Sequence, residues 1–428
     1  MRVPLLRSAR TVTEDDAVSP SQLASNSSEA PAAPEGVTDP GDRVGLGGRE
    51  GPRERSSTAV GGSTTIEDTV EETALADRVQ QALERYLRSR RAECGELDHD
   101  FAEAVDGLVE FVLRGGKRIR PTFAWWGWRA AGGAERGEQA EAMLRAASSL
   151  ELVQACALVH DDLIDDSWIR RGNPSMHKEF AEVHRCRGFS GGADQFGTAA
   201  AILLGDLSLS WADDMLHQAG LAPEALSRAL VPWRAMRTEV LAGQYLDVLG
   251  QVRGDEDPEA AMRTGQLKAA SYTVRRPIEL GAAAGGADQQ LQASLRRFGS
   301  DVGVAFQLRD DLLGVFGDPE VTGKPAGDDL REGKRTLLIS KGLETAQARG
   351  DQQAAELVRG ALGDPDVDEP TVQRVRSTLT RLGAVDAVEE RIAELTRTGL
   401  AALRSAEVAE PAASRLAELA VEVTDRNR

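Results

Sequence analysis

The chain is short of several things that would define other classes of protein. It has three cysteines, Cys94, Cys156 and Cys186, odd in number and far apart. That excludes a disulfide framework and a cysteine zinc cluster, and it points to a reducing compartment such as the cytoplasm. Aromatic residues make up only 4% of the chain, and strand-like alternation of Val, Ile, Thr and Tyr is scarce. Alanine and leucine take their place, which predicts an all-α fold. No apolar run approaches the roughly 18 residues needed to span a bilayer, so no transmembrane segment is expected. The apolar stretch of Met1–Leu6 is too short for a signal peptide. Positive charge is also in deficit, with 51 Lys+Arg against 69 Asp+Glu and a net charge of −18. A nucleic-acid partner is therefore not expected, because phosphate neutralisation needs a basic face. A local basic pocket for a small phosphorylated molecule stays possible.

The 428 residues divide unevenly by composition. Residues 1–74 have no Phe, Trp or Tyr, carry six of the 17 prolines, and set 7 Arg against 13 Asp+Glu, for a charge of −6. Such a stretch cannot bury enough apolar surface to offset its ordering entropy, and a disordered tail is expected. Residues 75–428 read as one helical domain without an internal repeat. Apolar residues recur at spacings of three and four from Val79 to Leu87 and from Ala104 to Val112. The run from Glu138 to Asp166 is apolar nearly all round, which marks a buried helix. Further helices are expected over 175–184, 198–219, 222–250, 258–284, 288–316, 335–348, 352–362, 371–382, 385–406 and 411–424. Arg171-Gly172-Asn173-Pro174 breaks the pattern, and Gly317–Gly333 reads as a long loop of the functional or mobile kind.

The strongest chemical signal is Asp161-Asp162-Leu163-Ile164-Asp165-Asp166 at the C-terminal end of the buried helix. Asp161 and Asp165 project from one face, one turn apart. Their charges repel each other and oppose the negative end of the helix dipole. Burial of such a cluster calls for a counter-cation, and Mg2+ takes one or two carboxylates together with phosphate oxygens. A second pair, Asp310-Asp311, closes another apolar run; alone it would read as readily as a surface pair. Two such pairs facing one cavity would hold several Mg2+ ions around a diphosphate. Cations flank the acids: Lys117, Arg118 and Arg120 follow a Gly-Gly turn, and Arg170-Arg171 begins five residues after Asp165. Lys268, Lys324 and Lys334 follow, although Lys324 and Lys334 taken singly read as solvated surface lysines. Arginine binds phosphate oxygens in pairs, and lysine acts as a point charge. His160 precedes Asp161, but the five histidines have no metal-ligand spacing and His160 reads as structural.

From about Leu75 to Asn427 the chain resembles the trans-isoprenyl diphosphate synthases, or polyprenyl synthetases. Four motifs carry the resemblance, in the family's order and approximate spacing. They are Gly115-Gly116-Lys117-Arg118-Ile119-Arg120-Pro121, Asp161-Asp162-Leu163-Ile164-Asp165 with Arg170-Arg171-Gly172, Gly243-Gln244-Tyr245-Leu246-Asp247, and Phe306-Gln307-Leu308-Arg309-Asp310-Asp311. The resemblance implies helices around a deep central cavity and a homodimer. It implies Mg2+ binding by Asp161, Asp165, Asp310 and Asp311, with Asp162 in support. It implies isopentenyl diphosphate binding by Lys117, Arg120, Gln154 and Arg171, and allylic diphosphate binding by Arg170, Lys268, Gln307, Lys324 and Lys334. Two positions depart from the family pattern. Gly314 stands where the second motif usually ends in Asp, with Asp318 nearby but out of register, and Ala269 stands where Thr is common.

The implied reaction is prenyl transfer: an allylic diphosphate ionises, the double bond of isopentenyl diphosphate attacks C1, and a proton leaves. Product length should depend on the turn upstream of Asp161, where Cys156 and Ala157 are small. In the family, bulky aromatics there resemble a floor that stops elongation, so a C20 geranylgeranyl product is expected, with farnesyl or longer products as alternatives. Two rivals differ in kind. A class I terpene cyclase would use Asp206, Ser210 and Asp214, at i, i+4 and i+8, as a metal motif. A non-catalytic regulatory subunit would be expected to have lost acids or cations that this chain keeps.

Overall fold

A computed structural model describes residues 64–317 and 327–425, all within one compact unit, Gly62–Arg428. Residues 1–63, most of the expected tail, lie outside the described residues, as does Lys324. The chain is already helical from Thr64, so the last residues assigned to the tail belong to the first helix.

The helices run in order α1 (Thr64–Leu97), α2 (His99–Leu113), α3 (Ile119–Ala130), α4 (Glu138–Ile164), α5 (Met176–Arg187), α6 (Ala193–His217) and α7 (Pro223–Arg253). Then come α8 (Pro258–Gly265), a π-helical segment (Gln266–Arg275), α9 (Arg276–Ala284) and α10 (Gln289–Phe316). A short helix, Asp328–Arg331, leads to five more: Leu337–Arg349, Gln352–Ala361, Glu369–Leu382, Ala384–Ser405 and Ala412–Thr424. Local signals start several of them. Asp98 accepts from the backbone N–H of Asp100 and Phe101 to open α2, and Asp288 accepts from Leu291 to open α10.

The expected all-α fold holds, with one small exception. The breaker at 171–174 is a hairpin in which β1 (Ile169–Arg170) pairs antiparallel with β2 (Asn173–Pro174). Arg171 (φ 54°) and Gly172 (φ 74°) form its two-residue turn, the left-handed geometry that tight hairpins need. A second difference lies in 258–284, expected as one continuous α-helix. Gln266–Arg275 widens to π geometry, with the Arg276 N–H donating to the Ser271 carbonyl five residues back.

Two hydrophobic cores share the bundle. The larger is built on α1 to α7, α9 and the first half of α10, and buries Trp126, Phe123, Trp233 and Phe298. The smaller joins the second half of α10 to the helices after residue 330. α10 therefore spans both, and Arg309 fixes it there: its guanidinium donates to Glu389 (2.5 and 2.7 Å) and to the Thr424 carbonyl (3.0 Å). α4 is long and apolar enough to cross a membrane, contrary to the expectation that no run would be. Its place is the core, with 78% of its most apolar window buried inside the protein.

Candidate active site

A cavity of roughly 510 Å3 opens where the two cores meet. Its wall takes Asp161 from the end of α4, Lys117 from the turn before α3, and Arg170 and Arg171 from the hairpin. Gln244 and Asp247 come from α7, Lys268 and Tyr272 from the π segment, and Gln307, Asp310 and Asp311 from α10. Gln154, Ala157, Leu158, Val240, Ala269, Gly314, Asp329 and Lys334 also line it. Residues more than 200 positions apart in the sequence thus share one space.

One side of the cavity is cationic. Arg118 sits in left-handed geometry (φ 47°) with its side chain buried. It donates to Glu151 (2.5 Å), to Gln80 (2.5 Å) and to the Val112 carbonyl (3.1 Å), which pins the Gly-rich turn. Arg120, 8% exposed, donates to the Thr273 hydroxyl at 2.9 Å and lies over the Tyr272 ring at 4.1 Å. Its Nε has no hydrogen-bond partner. Arg171 donates to the Gly115 carbonyl at 2.8 Å. Among the described residues neither Arg120 nor Arg171 makes an ion pair. Burial, with the Arg118, Arg120 and Arg170 charges beyond the help of Glu151, holds the Arg171 guanidinium below its ordinary value. Arg120 is buried positive charge without a carboxylate, which is costly, and an anionic ligand removes that cost; Arg171 lies at the exposed mouth beside it.

The opposite side interleaves acids and cations. Asp162 is fully buried at the base and takes the Arg170 guanidinium, which also reaches Asp161 at 3.4 Å. Lys268 Nζ lies between Asp161 Oδ1 (2.9 Å) and Asp247 Oδ2 (2.6 Å). Gly243 makes that contact possible: a Cβ there would stand 2.2 Å from the Lys268 nitrogen, so only glycine lets α7 approach the π segment so closely. Lys334 Nζ bridges Asp165 Oδ2 (3.6 Å) and Asp329 Oδ1 (3.5 Å) and contacts Glu332. The reading of Lys334 as a solvated surface lysine is therefore overturned; its side chain is only 17% exposed because the turn after Asp328–Arg331 folds it into the wall. Gln307 donates to Asp311 at 2.7 Å.

The charges respond to this packing. Burial opposes ionisation of Asp161, but Lys268, Lys334 and Arg170 outweigh it and hold its carboxyl well below the usual range. Asp165, desolvated and one turn from the ionised Asp161, is pushed up to about 7. Asp311 is pushed up to about 8, by burial and then by the Asp329 charge. Burial works against the charge on Lys268 and Lys334, yet the carboxylates around them raise both above the ordinary lysine value.

Among the described residues no three Asp, Glu, His or Cys side chains form a ready metal cage. Mg2+ does not need one, since water and phosphate oxygens complete its shell. Asp165 Oδ2 is buried and accepts no hydrogen bond, on a side chain 3% exposed. Hard carboxylate oxygens from two helices, one of them unsatisfied, fit Mg2+ bound together with a diphosphate.

Most residues singled out in the sequence converge here, but not all. Ala157 is in the cavity wall. Cys156 is not; its Sγ lies 3.7 Å from His160 Nδ1, and burial pushes its thiol up to about 12, as expected for an inert core residue. Asp206, Ser210 and Asp214 lie on the exposed side of α6 and do not line the cavity, which removes the cyclase metal motif. Asp329 and Glu332 were not anticipated, nor was Asp247 as the partner of Lys268.

A sequence profile of the family described as polyprenyl synthetase matches residues 102–375. A solved geranylgeranyl pyrophosphate synthase from Corynebacterium glutamicum, complexed with isoprenyl diphosphate and magnesium, superposes with a TM-score of 0.80 at 42% identity. That match covers 82% of this chain and 98% of the other. A geranylfarnesyl diphosphate synthase of Aeropyrum pernix is 31% identical over 286 residues, 66% of this chain and 81% of the relative. A geranylgeranyl diphosphate synthase of Methanosarcina mazei is 30% identical over 278 residues, 65% of this chain and 76% of the relative.

Proposed function

The chain belongs to the polyprenyl synthetase family and is a trans-prenyltransferase, and we propose that it joins isopentenyl diphosphate head-to-tail to an allylic diphosphate in the cavity between its two cores. One observation carries this reading: a single space with Arg171 in one wall and Arg120 behind it, neither in an ion pair among the described residues, and with Asp161, Asp310 and Asp311 across from them. Two diphosphates of different roles have a place there. The catalytic domain is the compact unit that opens with α1, Gly62–Arg428.

Lys117, Gln154 and Arg171 in the wall, with Arg120 behind them, bind the isopentenyl diphosphate, whose charge offsets the buried Arg120 guanidinium. Arg170, Lys268, Gln307 and Lys334 face the allylic diphosphate, with Lys324 as a further contributor from the segment outside the described residues. Asp161, Asp310 and Asp311 in the wall, with Asp165 one turn beyond Asp161, would hold Mg2+, and Asp162 orients Arg170 beside them. Bound there, Mg2+ would draw charge onto the leaving diphosphate and favour its departure. Lys268 keeps Asp161 ionised, and Lys334 holds Asp165 in place and works against the burial that raises it. Leu158, Val240 and Ala269 supply apolar wall that limits water near the allylic carbocation. Isopentenyl diphosphate loses a proton after attack, and the departing diphosphate is the base at hand.

We assign the product as C20 geranylgeranyl diphosphate. Ala157 in the wall and Cys156 beside it are both small, so that turn offers no aromatic floor to a growing chain. The protein works as a homodimer: Phe189, Phe196, Ile202 and Leu203, on and beside α6, are exposed apolar side chains that a second copy would cover. Its diphosphate substrates are water-soluble and its cysteines are unpaired, in keeping with a cytoplasmic enzyme.

The test is to incubate purified protein with Mg2+, isopentenyl diphosphate and each of dimethylallyl, geranyl and farnesyl diphosphate, and to size the products. Elongation to C20 is expected. No elongation from any primer refutes the synthase reading; a stop at C15, or a run well past C20, refutes the chain length alone.

A further inference from the structure

A second, smaller cavity of roughly 110 Å3 adjoins the first, and Asp247 and Arg335 stand in the walls of both. Three arginines line it from three segments: Arg253 at the end of α7, Arg263 in the last turn of α8, and Arg335 just before the helix Leu337–Arg349. Among the described residues none of the three makes an ion pair or a side-chain hydrogen bond. Arg253 and Arg263 sit where a helix C-terminus favours a cation, which accounts for each of them singly. Arg335 has no such reason. It precedes Thr336, the N-cap of its helix, an end that favours negative charge. Its Nε is buried without a partner. A Cβ built on Gly254, which ends α7 in left-handed geometry (φ 67°), would stand 4.0 Å from its Nη2, so the guanidinium lies against the turn that follows Arg253. The acids nearby do not cancel this charge. Asp247 is bound to Lys268 at 2.6 Å, and Asp257 accepts from the Glu259 and Ala260 N–H groups to cap α8. Glu256 is taken by Arg359, at 2.6 and 2.8 Å. Of the acids in the wall, Asp255 alone is uncommitted, against three guanidinium groups.

We propose that this cavity is an auxiliary anion site, and that it takes inorganic diphosphate, the by-product of prenyl transfer, as it leaves the main cavity. The choice of ligand rests on the synthase reading above. Arginine forks match phosphate oxygens in pairs, and three of them around a small cavity outweigh the one uncommitted carboxylate. Arg335 joins the two spaces. It directly follows Lys334, which stands in the wall that faces the leaving group, and it lines the second cavity as well. An anion leaving the Lys334 wall therefore has a second cationic seat beside it, at a stage of turnover where departure of products is often the slow step.

The test is calorimetric titration of inorganic diphosphate into the full-length protein in EDTA, with isopentenyl diphosphate already saturating. The cationic side of the main cavity is then filled, and its acidic side has no metal to receive an anion. One further equivalent of diphosphate should bind. Arg253→Gln/Arg263→Gln removes two of the three guanidinium groups, neither of which lines the main cavity, and should weaken this binding by at least about tenfold. Its affinity for isopentenyl diphosphate should stay at the wild-type value, with circular dichroism to verify folding. Arg85→Gln/Arg88→Gln makes the same change in net charge at exposed positions of α1, and should bind the second anion as the wild type does. No further equivalent in the wild type, an unchanged affinity in Arg253→Gln/Arg263→Gln, or an equal loss in the α1 variant overturns the site. A second equivalent bound by a protein that elongates no primer supports the site and refutes the synthase reading, so the two fail separately.

Discussion

The two sides of the cavity solve the same problem, holding a diphosphate, in opposite ways. At the Gly-rich turn, Arg120 and Arg171 are held by a hydroxyl and a carbonyl, which position them without neutralising them. Across the space, both lysines among the described residues are already committed: Lys268 to Asp161 and Asp247, Lys334 to Asp165, Asp329 and Glu332. The first side can receive an anion as it stands. The second has carboxylates enough to balance its cations, so an anion binds there only when further positive charge arrives with it. The difference separates an acceptor that need only be placed from a leaving group that must be activated.

Four expected outcomes would break or sharpen this contrast. Asp161→Ala removes the ionised carboxylate shared by Lys268 and Arg170, and turnover should fall by about 10²-fold or more with the fold intact by circular dichroism. Near-normal turnover would refute its role. Lys334→Gln leaves Asp165, Asp329 and Glu332 without their shared cation. Breaking such a buried group should cost about 3 kcal/mol in denaturant unfolding without metal. Added Mg2+ should restore more stability to this variant than to the wild type. Thr273→Val removes the hydroxyl that holds Arg120, and should raise KM for isopentenyl diphosphate by about tenfold. The KM for the allylic substrate should not move, and Thr273→Ser should rescue the loss. A parallel rise in both KM values would show that the sides are not independent.

The fourth concerns pH. Asp165 and Asp311, at about 7 and about 8, stand above the unfolded carboxyl value of about 3.9. The folded protein then binds more protons than the unfolded chain between those limits. Stability of the metal-free protein from this source should decline as pH rises from about 4 to 8, then level off. Asp161 acts in the other sense: its depressed value adds stability above about pH 4 that is lost on acidification. Melting temperatures across pH 5–9, with Asp165→Asn and Asp311→Asn flattening the decline, check the sign.

Much of this site was legible from the sequence, for definable reasons. Asp161 and Asp165 could be placed on one face because helical spacing fixes direction within a single element. The helical run of α4 was legible for the same reason, and its burial followed from apolar residues on every side. Pairings across elements were not legible. Nothing local to Lys334 distinguishes it from a surface lysine; its burial depends on α4 and α10 arriving from far earlier in the chain. The same holds for Asp247, whose partner lies beyond a helix boundary, and for the π segment, where a one-residue widening leaves no periodic trace over ten residues. Gly314 read as a missing acid because a sequence records which side chain is absent, not that the Asp329 carboxylate occupies its space.

The contrast between the two sides is tested most directly by calorimetric binding of each substrate class with Mg2+ and with EDTA. Isopentenyl diphosphate should bind with nearly the same affinity in both. A non-ionising allylic thiodiphosphate should lose at least about tenfold in affinity without the metal. Equal dependence on Mg2+ for the two ligands, or none for either, would contradict the account.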